Sequence, residues 1–199
     1  MDEKRRETIT KYLGDMRAAV HHVEEAMEGQ EKDFKDQPDV AQLMQKTHRQ
    51  LHAQKEALGA RLEALGGSPT HPVKEGVAGI AGVIAGLYNK IRTEGAAKGL
   101  RDDHVALNWT YVSYMTLVTT AVALGDRETA AIAENGMREC AKASMEVQRL
   151  LPTVVVRELQ DGKLGALDPA AVEEARNATN DAWEGSADER RTAEHRATV

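Results

Sequence analysis

Two histidines four residues apart, His48 and His52, have the spacing by which one face of a helix holds a single metal ion through two imidazoles. His21 and Glu25 form a similar pair earlier in the chain. If the two helices carrying these pairs run side by side, four nitrogen and oxygen donors meet in a set suited to iron, zinc or nickel, with Glu24 or Gln45 as further neighbours. A helical wheel places His52 roughly at right angles to the Leu51, Leu58 and Leu62 face. The preferred reading of this group is therefore a solvated or hydrogen-bonded one, and a peripheral metal site is the alternative.

A carboxylate-bridged di-iron centre inside a helical bundle makes a stricter demand. It needs a Glu from each of two helices and a Glu-x-x-His from each of the other two, because only that spacing aims oxygen and imidazole at one interior point. Three residues before His21, His22, His48, His52, His71, His104 and His195 stand Ala18, Ala19, Gln45, Arg49, Ser68, Arg101 and Thr192. None is acidic, so the signature is absent. Glu134, Glu139 and Glu146 remain as inward candidates on a later helix, but they flank its apolar seam and read first as a solvated face.

Other chemistry has less support. Cys140 lies on an apolar seam, where a thiol behaves as a small hydrophobe and its pKa rises, so no catalytic residue is expected there. It is also the only cysteine, which excludes an internal disulfide and a multi-thiolate metal site. The glycines at 76, 79, 82 and 86 lack the Lys-Ser or Lys-Thr that follows a phosphate-binding loop. Trp109, Tyr111 and Tyr114 stand at helical spacing and are expected chiefly in the core, with a ligand pocket as the lesser reading.

The elements that position these residues are helices. The chain has 199 residues, 4% aromatic content and a net charge of -6. Such a composition suits helices packed through aliphatic ridges and argues against a basic nucleic-acid-binding face. The amino terminus lacks the apolar run of a secretory signal, and no stretch reaches the ~20 apolar residues of a spanning helix. A cytoplasmic protein with no membrane span is expected.

Ile9, Leu13, Met16, Val20, Val23, Met27 and Phe34 recur in steps of three, four and seven, predicting a long helix from about Glu3 into the 30s. Pro38, preceded by Asp36 or Gln37 as cap, begins a second helix along Val40, Met44, Thr47, Leu51, Leu58, Leu62 and Leu65, which Gly66 and Gly67 stop. After a loop at Ser68 to Pro72, Gly76, Gly79, Gly82 and Gly86 interrupt the apolar stretch Val73 to Glu94. Each glycine weakens a helix by ~1 kcal/mol relative to alanine, so this stretch is expected to pack closely against another helix or a protein partner. A third helix is predicted from about Asp102 to Leu124, broad in its apolar surface and hence central or at an interface. A fourth presents Ala130, Ala133, Met137, Cys140, Ser144, Val147, Leu151 and Val154, with a kink expected at Pro152. Beyond Gly162 the chain turns polar. A short helix from Asp168-Pro169 through Trp183 and a mobile tail after Gly185 are expected, giving a bundle over 1–161 and a partly disordered extension over 162–199.

Tyr12-Leu13-Gly14-Asp15-Met16, the Leu58 to Gly66 run ending Ala64-Leu65-Gly66, and Ser113-Tyr114-Met115-Thr116-Leu117 before Leu124-Gly125 together resemble the YciE/YciF-like branch of the ferritin-like superfamily, over about Lys11 to Leu151. The resemblance implies an all-α fold, an antiparallel four-helix bundle with an additional helix, and a bacterial, stress-associated homodimer. It also marks where carboxylate ligands belong. Those positions fall on Val20, Gln50, Leu107 and Thr110, Asn108 stands where a His is expected, and only Glu139 is retained. The resemblance therefore implies the architecture with a degenerate metal site, no cofactor, and a structural or interaction role. The alternative is a metal-binding protein using iron or zinc at His21, Glu25, His48, His52 and Glu139.

Overall fold

The computed structural model describes residues 1–68 and 95–197. The predicted Gly76, Gly79, Gly82 and Gly86 packing surface, and the docking segment Val73 to Glu94 that contains it, lie outside the described residues. Five helices follow one another, with no strand among the described residues: α1 (Glu3–Asp33), α2 (Pro38–Ala64), α3 (Ala96–Leu124), α4 (Arg127–Asp161) and α5 (Ala171–Ala197). They form two compact units, Met1–Gln148 and Arg149–Val199, dividing inside α4.

Local chemistry sets the helix ends. The Asp2 carboxylate accepts from Arg5 N at 2.9 Å and opens α1. Pro38 occupies the first turn of α2 after Gln37, and its missing amide hydrogen leaves no unmet donor there. Gly66 closes α2 at φ +84°, and Gly125 closes α3 at φ +80°, left-handed positions that favour glycine. The start of α3 corrects the expected Asp102: the helix begins six residues earlier, at Ala96, because the Ala-rich first turn after Gly95 is itself helix-forming. Asp102 and Asp103 are buried within α3 and do not cap it. α4 continues through Pro152 to Asp161.

Side-chain pairings give the directions within the first unit. Along α2, Lys46 and Gln50 reach Glu146 and Glu139 of α4, and Arg61 reaches Asp126 just before α4, in descending order, so these helices are antiparallel. The pair α3 and α4 is antiparallel too, since His104 bonds Ser144 while Tyr114, further along α3, faces Gly136. α2 and α3 therefore run parallel on a diagonal, and the end of one and the start of the other lie at opposite ends of the bundle. The expected seam of α1 is buried from Ile9 to Met27, and Val40, Met44, Leu51, Leu58 and Leu62 bury the matching face of α2.

In the second unit, Arg176 of α5 donates to Arg149 O and, at 3.1 Å, to Thr153 Oγ1 of α4. The Asp168 carboxylate accepts from Ala170 N at 2.8 Å just before α5. This helix is longer than the sequence suggested, running past Trp183 and Gly185 to Ala197.

Candidate functional site

Glu24 of α1 is four residues after Val20 and three before Met27, both fully buried, and this spacing draws it to the edge of the seam. Its side chain is only 6% exposed. His48, His52 and Lys55, at successive turns of α2, face it. His52 Nδ1 lies 2.7 Å from Glu24 Oε1 and Lys55 Nζ 2.6 Å from Oε2. His48 Nε2 is 3.9 Å from Oε1, and His21 Nδ1, one turn back on α1, is 3.6 Å from Oε2. An ionised carboxylate only accepts, so His52 presents Nδ1–H to it.

Burial pushes the Glu24 carboxyl upward, but the Lys55 and His52 hydrogen bonds, the Lys55 charge and His21 outweigh it and hold the group below its ordinary 4.5. The structure thus brings His21, His48 and His52 around one carboxylate. That carboxylate is Glu24, whereas Glu25 lies on the exposed side, 3.6 Å from His21 and 3.8 Å from His22. Sequence reasoning kept Glu24 only as a neighbour and missed Lys55, although the 48, 52, 55 spacing puts that lysine on the histidine face.

A metal ion fits this arrangement poorly. Lys55 carries a fixed positive charge and no lone pair, and it holds the oxygen that a dication would need. Among the described residues no group of three or more His, Cys, Asp or Glu side chains is arranged to hold an ion.

Glu139, on α4, meets a different face of α2. Gln50 Nε2 donates to its Oε2 at 2.6 Å, and Lys142 Nζ lies 3.1 Å from its Oε1. The histidines look toward α1 while Gln50 and Lys46 look toward α4, so Glu139 does not join them. At the remaining positions marked by the resemblance, Val20 and Leu107 are fully buried and apolar. Thr110 is buried and donates to Ala106 O at 2.8 Å. Asn108 donates to Ser144 Oγ at 3.0 Å, and His104 Nδ1 meets the same hydroxyl at 2.9 Å. One carboxylate, tied by an amide and an ammonium, does not meet the requirement of a di-iron centre.

Deeper in the bundle, Tyr114 donates to Gln54 Oε1 at 3.0 Å, and Cys140 Sγ lies 3.8 Å from that oxygen. Burial, with Cys140 beside it, pushes the Tyr114 phenol well above 10, and burial pushes the Cys140 thiol up to about 12. Neither is a nucleophile at neutral pH. Tyr114 is core as expected, while Trp109 lines a cavity between α1 and α3.

Four long helices, antiparallel between neighbours with a parallel diagonal pair, define a ferritin-like helical bundle. Residues 4–160 match the family described as "Domain of unknown function (DUF892)", and the chain belongs to that family. A crystal structure of a protein from Xanthomonas campestris pv. campestris str. ATCC 33913 is 19% identical with a TM-score of 0.66, covering 81% of this chain and 99% of that one. An archaeal Dps-homologue from Halobacterium salinarum is 19% identical with a TM-score of 0.61, covering 76% and 83%. At such identities the likeness shows the fold alone. No curated protein matches the sequence. No helix among the described residues is long and apolar enough to cross a membrane.

Proposed function

We propose that this protein is a YciE/YciF-like member of the ferritin-like bundles that has given up the di-iron centre and serves as a non-catalytic structural or interaction protein. In this reading it acts as a homodimer in the bacterial cytoplasm, in stress protection, as the sequence resemblance implies. The observation that supports it is that the polar groups in this part of the bundle satisfy one another. Glu24 is neutralised by Lys55 and bonded by His52, Glu139 is held by Gln50 and Lys142, and Val20, Leu107 and Thr110 offer an incoming ion little.

A second reading rests on three imidazoles, His21, His48 and His52, lying within 3.9 Å of one buried carboxylate. Displacement of Lys55 would turn that group into a peripheral iron or zinc site. Elemental mass spectrometry of untagged, chelator-free protein, before and after incubation with Fe(II) and Zn(II), separates the two. Near-zero metal per chain and an unchanged melting temperature are expected. Stoichiometric metal overturns the first reading, and its loss on His48→Ala/His52→Ala assigns the ion to the histidine group.

A further inference from the structure

Away from the histidines, α1 and α3 flank a partly open cavity of about 170 Å³. Asp15 and Met16 line it from one side, with Tyr12 at the rim, and Trp109, Ser113 and Thr116 line it from the other. None of its lining side chains is cationic.

Its hydrogen-bonding capacity is lopsided. Ser113 spends its hydroxyl proton on Trp109 O at 2.9 Å, and Thr116 spends its own on Val112 O at 3.2 Å. Both hydroxyl oxygens keep lone pairs and have no proton to offer. Asp15 Oδ1 has no hydrogen-bond partner and almost no accessible surface, so a head group in the cavity meets it only when the carboxylate turns toward the cavity. A buried acceptor without a donor is costly, and such an atom calls for an explanation. Burial raises the Asp15 carboxyl, while Lys11, one turn earlier on α1, lowers it through space without contributing to the cavity wall. The indole of Trp109 and the phenol ring of Tyr12 add electron-rich faces, which attract cations.

A ligand that answers this wall carries several N–H donors, a positive charge and a small apolar body. Three acceptors match the three protons of a primary ammonium group. The volume slightly exceeds the ~150 Å³ of an apolar cavity known to hold one benzene ring, so the body is a single ring or a short alkyl chain. We propose that the cavity between α1 and α3 binds a small primary organic ammonium ion, with its head on Asp15 and its hydrocarbon against Met16, Tyr12 and Trp109. This site is independent of the Glu24 group and of whether the bundle carries a metal.

The test uses the full chain with Trp183→Phe, which leaves Trp109 as the only tryptophan and its emission as the reporter. Benzylamine is titrated at neutral pH beside benzyl alcohol, its uncharged near-isostere. Saturable binding of the amine is expected, with the alcohol about ten-fold or more weaker and a similar loss in Asp15→Asn. Thr116→Val, isosteric and on the exposed side of α3, is expected to weaken the amine several-fold with the fold intact by circular dichroism. Equal binding of alcohol and amine would reduce the site to an apolar crevice and overturn the proposal. So would undiminished binding by folded Asp15→Asn or by Thr116→Val, displacement of the amine by millimolar Mg²⁺, or no saturable binding at all.

Discussion

Gly136→Ala sets two known effects against each other at one point of the α3 and α4 interface. Alanine in place of a glycine inside a long helix stabilises by ~1 kcal/mol, because less backbone freedom is lost on folding. A Cβ at 136, however, would overlap the Tyr114 ring, lying 2.6 Å from Cε1 and 2.7 Å from Cε2. Tyr114 is fully buried, and its hydroxyl is fixed to Gln54 at 3.0 Å, so the ring cannot swing away freely. Overpacking costs ~1–3 kcal/mol, and loosening a buried hydrogen bond adds ~1 kcal/mol or more. The steric effect wins, and a net loss of about 1–3 kcal/mol is expected. Urea denaturation should show a lower midpoint with an unchanged slope. In a Tyr114→Ala background the same substitution should turn neutral or stabilising, a coupling of about 2 kcal/mol in the double-mutant cycle. A Gly136→Ala protein as stable as the parent would refute the packing argument outright.

Lys55→Met should destabilise by about 2–4 kcal/mol in chemical denaturation at pH 7, since it strands a buried carboxylate that His52 serves on one oxygen only; the Glu24→Gln/Lys55→Met pair should recover most of the loss. Equal stability of the single and double variants would show that Lys55 does not neutralise Glu24. Asp126 accepts from Thr129 N and Oγ1 and from Arg61, and although burial raises its carboxyl, these partners win and hold it below its ordinary 3.8. Its folded value is depressed, so its contribution is complete above about pH 4 and is lost as pH falls through the folded value. Asp126→Asn, which keeps a capping side chain, should therefore flatten the fall in melting temperature between pH 5 and pH 2, and an unchanged acid slope would remove Asp126 from the account.

Periodicity carried much of the fold because burial on a helix repeats with the turn. The α1 stripe and the α2 face emerged from spacing alone, and Pro38, Gly66 and Gly125 mark ends for stereochemical reasons that need no tertiary context. The start of α3 escaped because Asp102 looks like a cap when read locally, yet tertiary packing draws it inside the helix, where Arg101 pairs with it at 2.8 Å. On α4 the stripe was placed through Met137, while the buried residue at that turn is Gly136, since Tyr114 needs the space that a missing side chain leaves. In the histidine group the spacing of the imidazoles was legible, but Lys55 and the central carboxylate were not. Spacing along α1 weighs Glu24 and Glu25 almost equally, and only the position of α2 decides between them. The α1 and α3 cavity had no sequence signal of its own, because its residues read separately as core or surface.

Under the proposed reading, buried polar pairs between helices are what hold the register of the bundle. A metal centre fixes helices by demanding ligands from several of them at one depth. Here the same task falls to pairs formed between helices: Glu24 with Lys55 ties α1 to α2, Glu139 with Gln50 ties α2 to α4, and Arg61 with Asp126 ties α2 to the start of α4. Arg61 and Asp126 are only 11% and 4% exposed, so a slip of one turn would strand both charges in the core. Buried pairs add little net stability over apolar packing, but breaking one is expensive, which favours one alignment over its neighbours. That asymmetry supports the reading of a scaffold whose interior specifies its own alignment. In that reading Lys55 is a structural cation, its ammonium 2.6 Å from the Glu24 carboxylate that the neighbouring imidazoles also face.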